Sequence, residues 1–334
     1  METIQSKLAG WKTKLLSRAG RMVLVQTAAA PIADYCMQCH AIPIKVCNAI
    51  DNAMRDFLWG STEEKRKLHL VNWQTITLPK ELGGLGLFQA KYRNLALLAK
   101  LCWRLANEPN TPWAKMIAAK YLSPHRLTEE GRNLPCSRIW AAFKRGGLVY
   151  VQGLKCNVKN GASINFWNDF WLPSGSVRNL IQGPLSREEE QRTVKQSFEP
   201  NGEWNARKIS FELPDQINST IRATPLSYNL NAVDSLTWAF SKDGFFSHKS
   251  AYLLAKGLNP LNPNTLSLDW FWKIETLPRI QFFIWLCFHN SVPTGEVLGS
   301  RGLSLNPICF LCLHNNESID HLGVVRLHNP FGIT

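Results

Sequence analysis

The chain has 334 residues, 45% of them apolar, with 13 Trp and 16 Phe; this composition builds packed cores and excludes a disordered tail. Residues 1–150 hold 22 Lys/Arg against 10 Asp/Glu and the remainder 16 against 15, so almost all of the formal charge of +13 sits in the first half. A basic half joined to a near-neutral one points to a polyanion, nucleic-acid phosphate first, and no apolar run is long enough to span a bilayer.

Residues 1–144 read as a basic helical region. Leu8, Trp11, Leu15, Ala19, Met22 and Val23 recur at helical spacing while Lys7, Lys14, Arg18 and Arg21 fall on another face, and Ser17 can instead cap a helix starting at Arg18. Pro43 suits the first turn of a helix that buries Val46, Ile50, Met54 and Phe57 and ends near Gly60. A further helix over about 92–106 turns Tyr92, Leu95, Ala96, Ala99, Cys102 and Trp103 inward and aligns Arg93, Lys100 and Arg104 on one side. Such stripes suit phosphate contact without sequence readout, although any amphipathic helix has a charged outer face. The run Gly83-Gly-Leu-Gly86 has neither the Lys-Ser/Thr of a phosphate loop nor dinucleotide spacing, and reads as a turn.

Residues 145–232 read as a β-hairpin region followed by a connector. Asn160-Gly161 is a hairpin turn signal between 155–159 and 162–167, with Ala162, Ile164 and Phe166 on one face. Residues 174–232, with the charge run Arg187-Glu-Glu-Glu190, are expected as a solvated connector with short helices. In residues 233–334, Leu236, Trp238 and Phe240 alternate before Asp243-Gly244, Phe245-Phe246 returns, and Ser247 can cap a helix through Tyr252 and Leu254. Helical spacing then resumes, and Trp270, Trp272, Phe282, Phe283, Trp285 and Phe288 are expected in the core rather than as a base-stacking platform.

Nine cysteines at irregular spacing, without an apolar leader, suit a reducing compartment, nucleus or cytoplasm rather than secretion. Cys36-Met-Gln-Cys39-His40 matches a haem-attachment pattern that belongs to exported proteins; it is taken as accidental, with Cys36 and Cys39 as small buried side chains. Cys309-Phe-Leu-Cys312 and His321 supply three ligands of a tetrahedral metal site, with His328, His314 and Cys287 as candidates for the fourth. His328 lies downstream, where Asn329-Pro330 helps a turn bring it back, so the candidate ligand set is Cys309, Cys312, His321 and His328, and the cofactor is zinc in an incomplete site. No two aspartates are adjacent, Asp169, Asp269, Glu275 and Asp320 are scattered, and Cys287 and His289 are too close on a helix to face each other, so no catalytic residue is assigned.

Several segments together resemble plant LINE-type (non-LTR) retrotransposon reverse transcriptases, in the region after the polymerase palm. They are Trp11 through Leu16, Ser17-Arg-Ala-Gly-Arg21, Tyr35-Cys-Met-Gln, Phe57-Leu-Trp-Gly60, His69-Leu-Val-Asn-Trp73, Pro79-Lys-Glu-Leu-Gly-Gly-Leu-Gly86 and Leu97 through Leu105. Asn160 through Leu172 and Gly244 through Tyr252 extend the likeness. Leu277-Pro-Arg-Ile-Gln-Phe-Phe-Ile-Trp-Leu, Ser291-Val-Pro-Thr, Leu298 through Arg301 and Glu317-Ser-Ile-Asp-His-Leu resemble the zinc-binding region of that family. Arg279 stands where lysine is usual, and Arg326 where the closing cysteine is expected, which marks the zinc-binding region as truncated.

The resemblance implies a non-catalytic portion of an RNA-directed DNA polymerase without its palm, retaining non-specific RNA or DNA binding. The residues assigned to that binding are Lys7, Lys14, Arg18, Arg21, Arg93, Lys100 and Arg104. A protein-interaction scaffold and an inert relic of the retroelement are the alternatives, and no small-molecule substrate is expected. The expected fold is α+β and mainly α, in three parts: helical 1–144, β-hairpin and connector 145–232, and a helical zinc-binding-like domain 233–334.

Overall fold

The computed structural model describes residues 6, 8, 16–62, 64–122, 136–172, 175–199, 203–224, 232–260, 268–310 and 312–321. Its principal helices are α1 (Arg18–Leu24), α2 (Ala30–Met37), α3 (Ile44–Trp59), α4 (Ala90–Asn107), α5 (Pro112–Tyr121), α6 (Arg138–Gly153), α7 (Asp215–Arg222), α8 (His248–Ala255), α9 (Pro278–Phe288) and α10 (Gly295–Ser300). The strands β1 (Leu154–Asn157) and β2 (Ser235–Trp238) form one antiparallel pair, so the fold is mainly α with a little β, as expected. Two compact units emerge, each assembled from separate stretches of sequence: one from 1–38, 42–94 and 263–334, the other from 39–41 and 95–262.

In the first unit Ser17 starts α1, its hydroxyl accepting the Gly20 amide at 3.1 Å. A π-helical turn over Val25–Ala29 leads into α2. Extended Pro43 precedes α3, which buries Ile50, Met54 and Phe57 as expected, while Val46 is only half-buried. Gly60 ends α3 at φ 76°, where a side chain would also strike the Arg21 guanidinium.

The glycine run is a turn with a packing role. Leu85 N donates to the Ile76 carbonyl at 3.0 Å and Gly86 N to that of Leu78 at 3.0 Å. Gly84 passes so close to Leu78 that a Cβ would stand 2.0 Å from its carbonyl oxygen. Trp285, fully buried on α9, donates its indole N–H to the Gly83 carbonyl at 2.8 Å, tying the turn to a helix some 200 positions away. Phe282 is also core, but Trp270, Phe283 and Phe288 are 59%, 50% and 43% exposed, against expectation, and Trp272 is half-buried. The α9 sequence is apolar on more faces than its neighbours cover. Cys36 is likewise exposed and Cys39 half-exposed rather than buried.

In the second unit the two anticipated hairpins exchange partners. β1 pairs with β2, Leu154 opposite Trp238 and Asn157 opposite Ser235. Gly161 does turn at φ 65°, but Asp234 holds that loop, accepting the amides of Lys159, Gly161 and Ser163, and Phe166 N donates to the Arg192 carbonyl. Ser247 caps α8 as expected, accepting the Ser250 amide.

The supposed connector is packed. Phe166, Trp167, Trp171, Val177, Val194, Phe198, Ile209 and Ile221 form one buried cluster, with the Phe166 and Trp204 rings stacked at 5.5 Å. The charge run is not fully solvated either, because Glu189 is only 4% exposed. It accepts Trp167 Nε1 at 3.2 Å, Arg192 Nε and Nη2 both at 2.8 Å, and Ser210 N and Oγ at 3.1 and 2.7 Å. Every lone pair of a buried carboxylate needs such a donor, which is why a charged residue can sit here.

Candidate metal centre and basic surface

The three metal-ligating side chains come together at the end of the first unit. An isolated antiparallel bridge, Ile308 to Asn316, closes a loop in which Cys309 N donates to the Asn315 carbonyl at 2.7 Å and Leu313 N to that of Cys309 at 2.8 Å. Leu313 takes φ 58°, the left-handed conformation that lets the chain fold back sharply after Cys312. Backbone amides of Asn315 and then His314 point at the Cys312 sulfur and bring its thiol down to about 7, aided by His321 and Cys309 and opposed by desolvation. Near neutral pH a substantial thiolate fraction is therefore ready to ligate.

His321 comes from the start of a short helix. Ser318 caps it, its hydroxyl accepting the His321 amide at 3.0 Å, and the preceding Glu317 fastens the segment to its surroundings. Glu317 N donates to the Pro307 carbonyl at 2.7 Å, while Oε2 accepts Gly295 N at 2.8 Å, at the first residue of α10. The Glu-Ser-x-x-His spacing thus has a mechanical sense: an anchor, a cap, then a ligand one turn on.

Cys312 Sγ lies 3.2 Å from His321 Nε2, and the ligand atoms of Cys309, Cys312 and His321 all lie within 4.8 Å of one another. Tetrahedral zinc with ordinary Zn–S and Zn–N bonds has an S···N edge of about 3.6 Å, so the trio fits with a small expansion. These three side chains can hold a metal ion. His314 turns its Nδ1 onto the Cys312 carbonyl oxygen, and neither His314 nor Cys287 joins the trio. His328 and Arg326 lie outside the described residues.

The basic candidates are dispersed. Lys7 and Lys14 lie outside the described residues. Arg18 is exposed, with its guanidinium carbon 5.9 Å from the Trp59 ring centroid, and Arg21 is half-buried against Gly60. Arg93 forks onto Asp34 at 2.9 and 2.7 Å and stacks 4.1 Å from the Phe88 centroid. Arg104 binds Glu108 through Nε and Nη2, at 2.9 Å for the shortest bond, and Lys100 is exposed. Two of the three cations along α4 therefore hold the fold as well as facing outward.

Sequence reading passed over a denser basic feature and a cavity beside it. Lys65, Arg66 and Lys67 are exposed on a loop fixed by Lys65 N donating to Thr62 Oγ1 at 3.1 Å and Lys67 N to Ser61 Oγ at 3.0 Å. Three consecutive cations just after the glycine that ends a helix were the available signal. A few residues on, a polar cavity of about 630 Å³ opens in the same unit, lined by α3, the 69–75 segment, Gln89 and part of 289–301. Asp51 lines it, 6% exposed; burial pushes its carboxyl up to about 6, against the Ala90 amide, the Trp73 indole and the Arg55 charge. His69 is held below its ordinary value by burial and by Arg55, with Asp56 at 3.4 Å acting the other way. Arg301 donates to the carbonyls of His69, at 2.8 Å, and Leu70, bracing the cavity wall.

Residues 246–325 match the family described as zinc-binding in reverse transcriptase, a span that holds Cys309, Cys312 and His321. An Arabidopsis thaliana protein named "Putative ribonuclease H protein" is 32% identical over 328 residues, 96% of this chain and 53% of that relative. The chain therefore spans about half the length of that relative. A second Arabidopsis thaliana protein, named "Uncharacterized mitochondrial protein", is 30% identical over 139 residues, 41% of this chain and 90% of the relative.

Proposed function

This chain belongs to the retrotransposon-derived reverse transcriptase proteins of plants and carries their zinc-binding region, and from that premise we propose that it holds nucleic acid without polymerising it. The uneven charge carries this reading: 22 Lys/Arg against 10 Asp/Glu in residues 1–150, beside a near-neutral remainder. Phosphate contact of this kind gives affinity that falls with salt and carries no sequence preference. The LINE-type resemblance of the motifs supports a role beside a polymerase, on template RNA or target DNA. Among the described residues the metal-ligating cluster consists of two thiols and an imidazole, which suits a structural ion better than phosphodiester hydrolysis.

Zinc, when bound, supplies a cross-link between the 308–316 loop and the helix that begins at His321, with Cys309, Cys312 and His321 as its holders and His328 as the proposed fourth. The test is binding of labelled RNA and DNA at low salt to the wild type and to a variant with Lys7, Lys14, Arg18 and Arg21 changed to Gln. Weakened binding with a shallower salt dependence is expected, and unchanged affinity would refute the assignment of that stripe. Primer extension by the chain alone is expected to yield no product. The exposed Trp270, Ile274, Leu277 and Phe283 favour a second reading, a scaffold for another protein, which predicts no nucleic-acid binding at low salt.

A further inference from the structure

The cavity beside the Lys65–Lys67 loop has the chemistry of a site for one unstacked nucleotide. Its walls are mostly polar: Asn48 and Asn52 from α3, Gln74 and Gln89 offer side-chain amides, each with donors and acceptors. Two groups within it are left with unused capacity. Arg55 Nη2 is engaged by Asn52 Oδ1 at 2.8 Å, but the enclosed Nε has no hydrogen-bond partner among the described residues. Asp51 gives Oδ1 to the Ala90 amide at 2.8 Å, and its carboxylate lines the cavity from a nearly inaccessible position. A buried donor without an acceptor and a buried carboxylate together ask for a ligand that presents acceptor and donor side by side.

A nucleobase edge does this, since its ring nitrogens, carbonyls and amines alternate in plane. A free inorganic anion does not, because it would meet the Asp51 carboxylate with like charge. The volume of about 630 Å³ admits a base with its sugar. Phosphates to either side would then lie within reach of the cations of residues 65–67, two positions from His69 in the cavity wall.

We propose that this cavity receives a single unstacked base of a single-stranded RNA or DNA, read by Asp51 and Arg55, while Lys65, Arg66 and Lys67 hold the adjoining backbone. The proposal rests on the nucleic-acid reading given above and deepens it by making the preferred form single-stranded. A duplex, whose edges are paired and stacked, gains only the basic loop.

The experiment is fluorescence anisotropy of the full chain with a labelled single strand and with the duplex of the same sequence, for RNA and for DNA, at matched salt. Arg55→Gln and Asp51→Asn are expected to weaken single-strand binding by about tenfold, within the range of one base contact, and duplex binding by less than about twofold. Asn48→Ala and Asn52→Ala, at exposed helical positions where alanine favours the fold, guard against misfolding and are expected to act in the same direction. The triple change of Lys65, Arg66 and Lys67 to Gln weakens both forms. Equal losses on single strand and duplex, or no loss in the four cavity variants while the triple variant is impaired, would overturn the cavity assignment alone. Absence of binding by the wild type to any of the four probes would overturn the nucleic-acid reading with it.

Discussion

Asp51→Asn should stabilise this protein, and the size of the effect follows from where the carboxyl sits. In the folded chain burial raises it from 3.8 to about 6, so between those values the native state holds a proton that the unfolded chain has released. Stability from this group is fully present below about pH 3.8 and is lost as pH rises through 6. Each unit corresponds to about 1.4 kcal/mol, so an ionised Asp51 costs roughly 3 kcal/mol at neutral pH. Asparagine keeps an acceptor for the Ala90 amide and carries no charge to desolvate. Urea unfolding at a series of pH values should place the variant roughly 2–3 kcal/mol above the wild type at pH 8 and close to it at pH 4. A variant that is less stable than the wild type at pH 8, or a difference that does not change with pH, would refute the reasoning. The pairing of higher stability with weaker single-strand binding would mark Asp51 as a group kept for binding at a cost to the fold.

Glu189 should behave with the opposite sign. Burial opposes its ionisation, but Arg192 and Ser210 outweigh that and bring it from 4.5 to about 2, so it contributes stability above pH 4.5 that is lost as pH falls toward 2. Glu189→Gln is expected to lower stability at pH 7 by roughly 3 kcal/mol, with the difference from wild type shrinking in acid, as read by denaturant titration. Gly153→Ala would push a methyl to 2.1 Å from the Trp238 ring and should lower the unfolding free energy by about 1–3 kcal/mol; an unchanged value would contradict this packing. Zinc added to protein purified without chelator should bind through Cys309, Cys312 and His321, and Cys309→Ser should abolish retention measured by elemental analysis; equal retention would rule out this site.

Where local chemistry decides, the sequence was readable. Ser17, Ser247 and Gly60 set helix ends through single hydrogen bonds or one backbone angle, and Cys309, Cys312 and His321 are close enough in sequence for their spacing to predict their meeting. Where distant segments decide, it was not. The alternation in β1 and β2 marked strands, but the choice of partner depended on packing of Trp238 against Gly153 across more than 80 residues. The same holds for the core that contains Phe166, Phe198 and Ile221, hidden in a stretch whose prolines and charges suggest solvent. The cavity was invisible because Asp51 and Arg55 look like ordinary outer-face residues of α3 until His69 and Gln89 enclose them. Exposed Phe283 and Trp270 show the converse, since aromatic density alone does not say which faces find a neighbour.

The most direct test of the central claim is the affinity of the full chain for a single-stranded oligonucleotide measured across salt concentrations. The account predicts a logarithmic plot that falls steeply, by about 0.7 per phosphate contact, with a shallower slope once Lys65, Arg66 and Lys67 are neutral. Affinity that does not change with salt, or no binding at the lowest salt used, would contradict it.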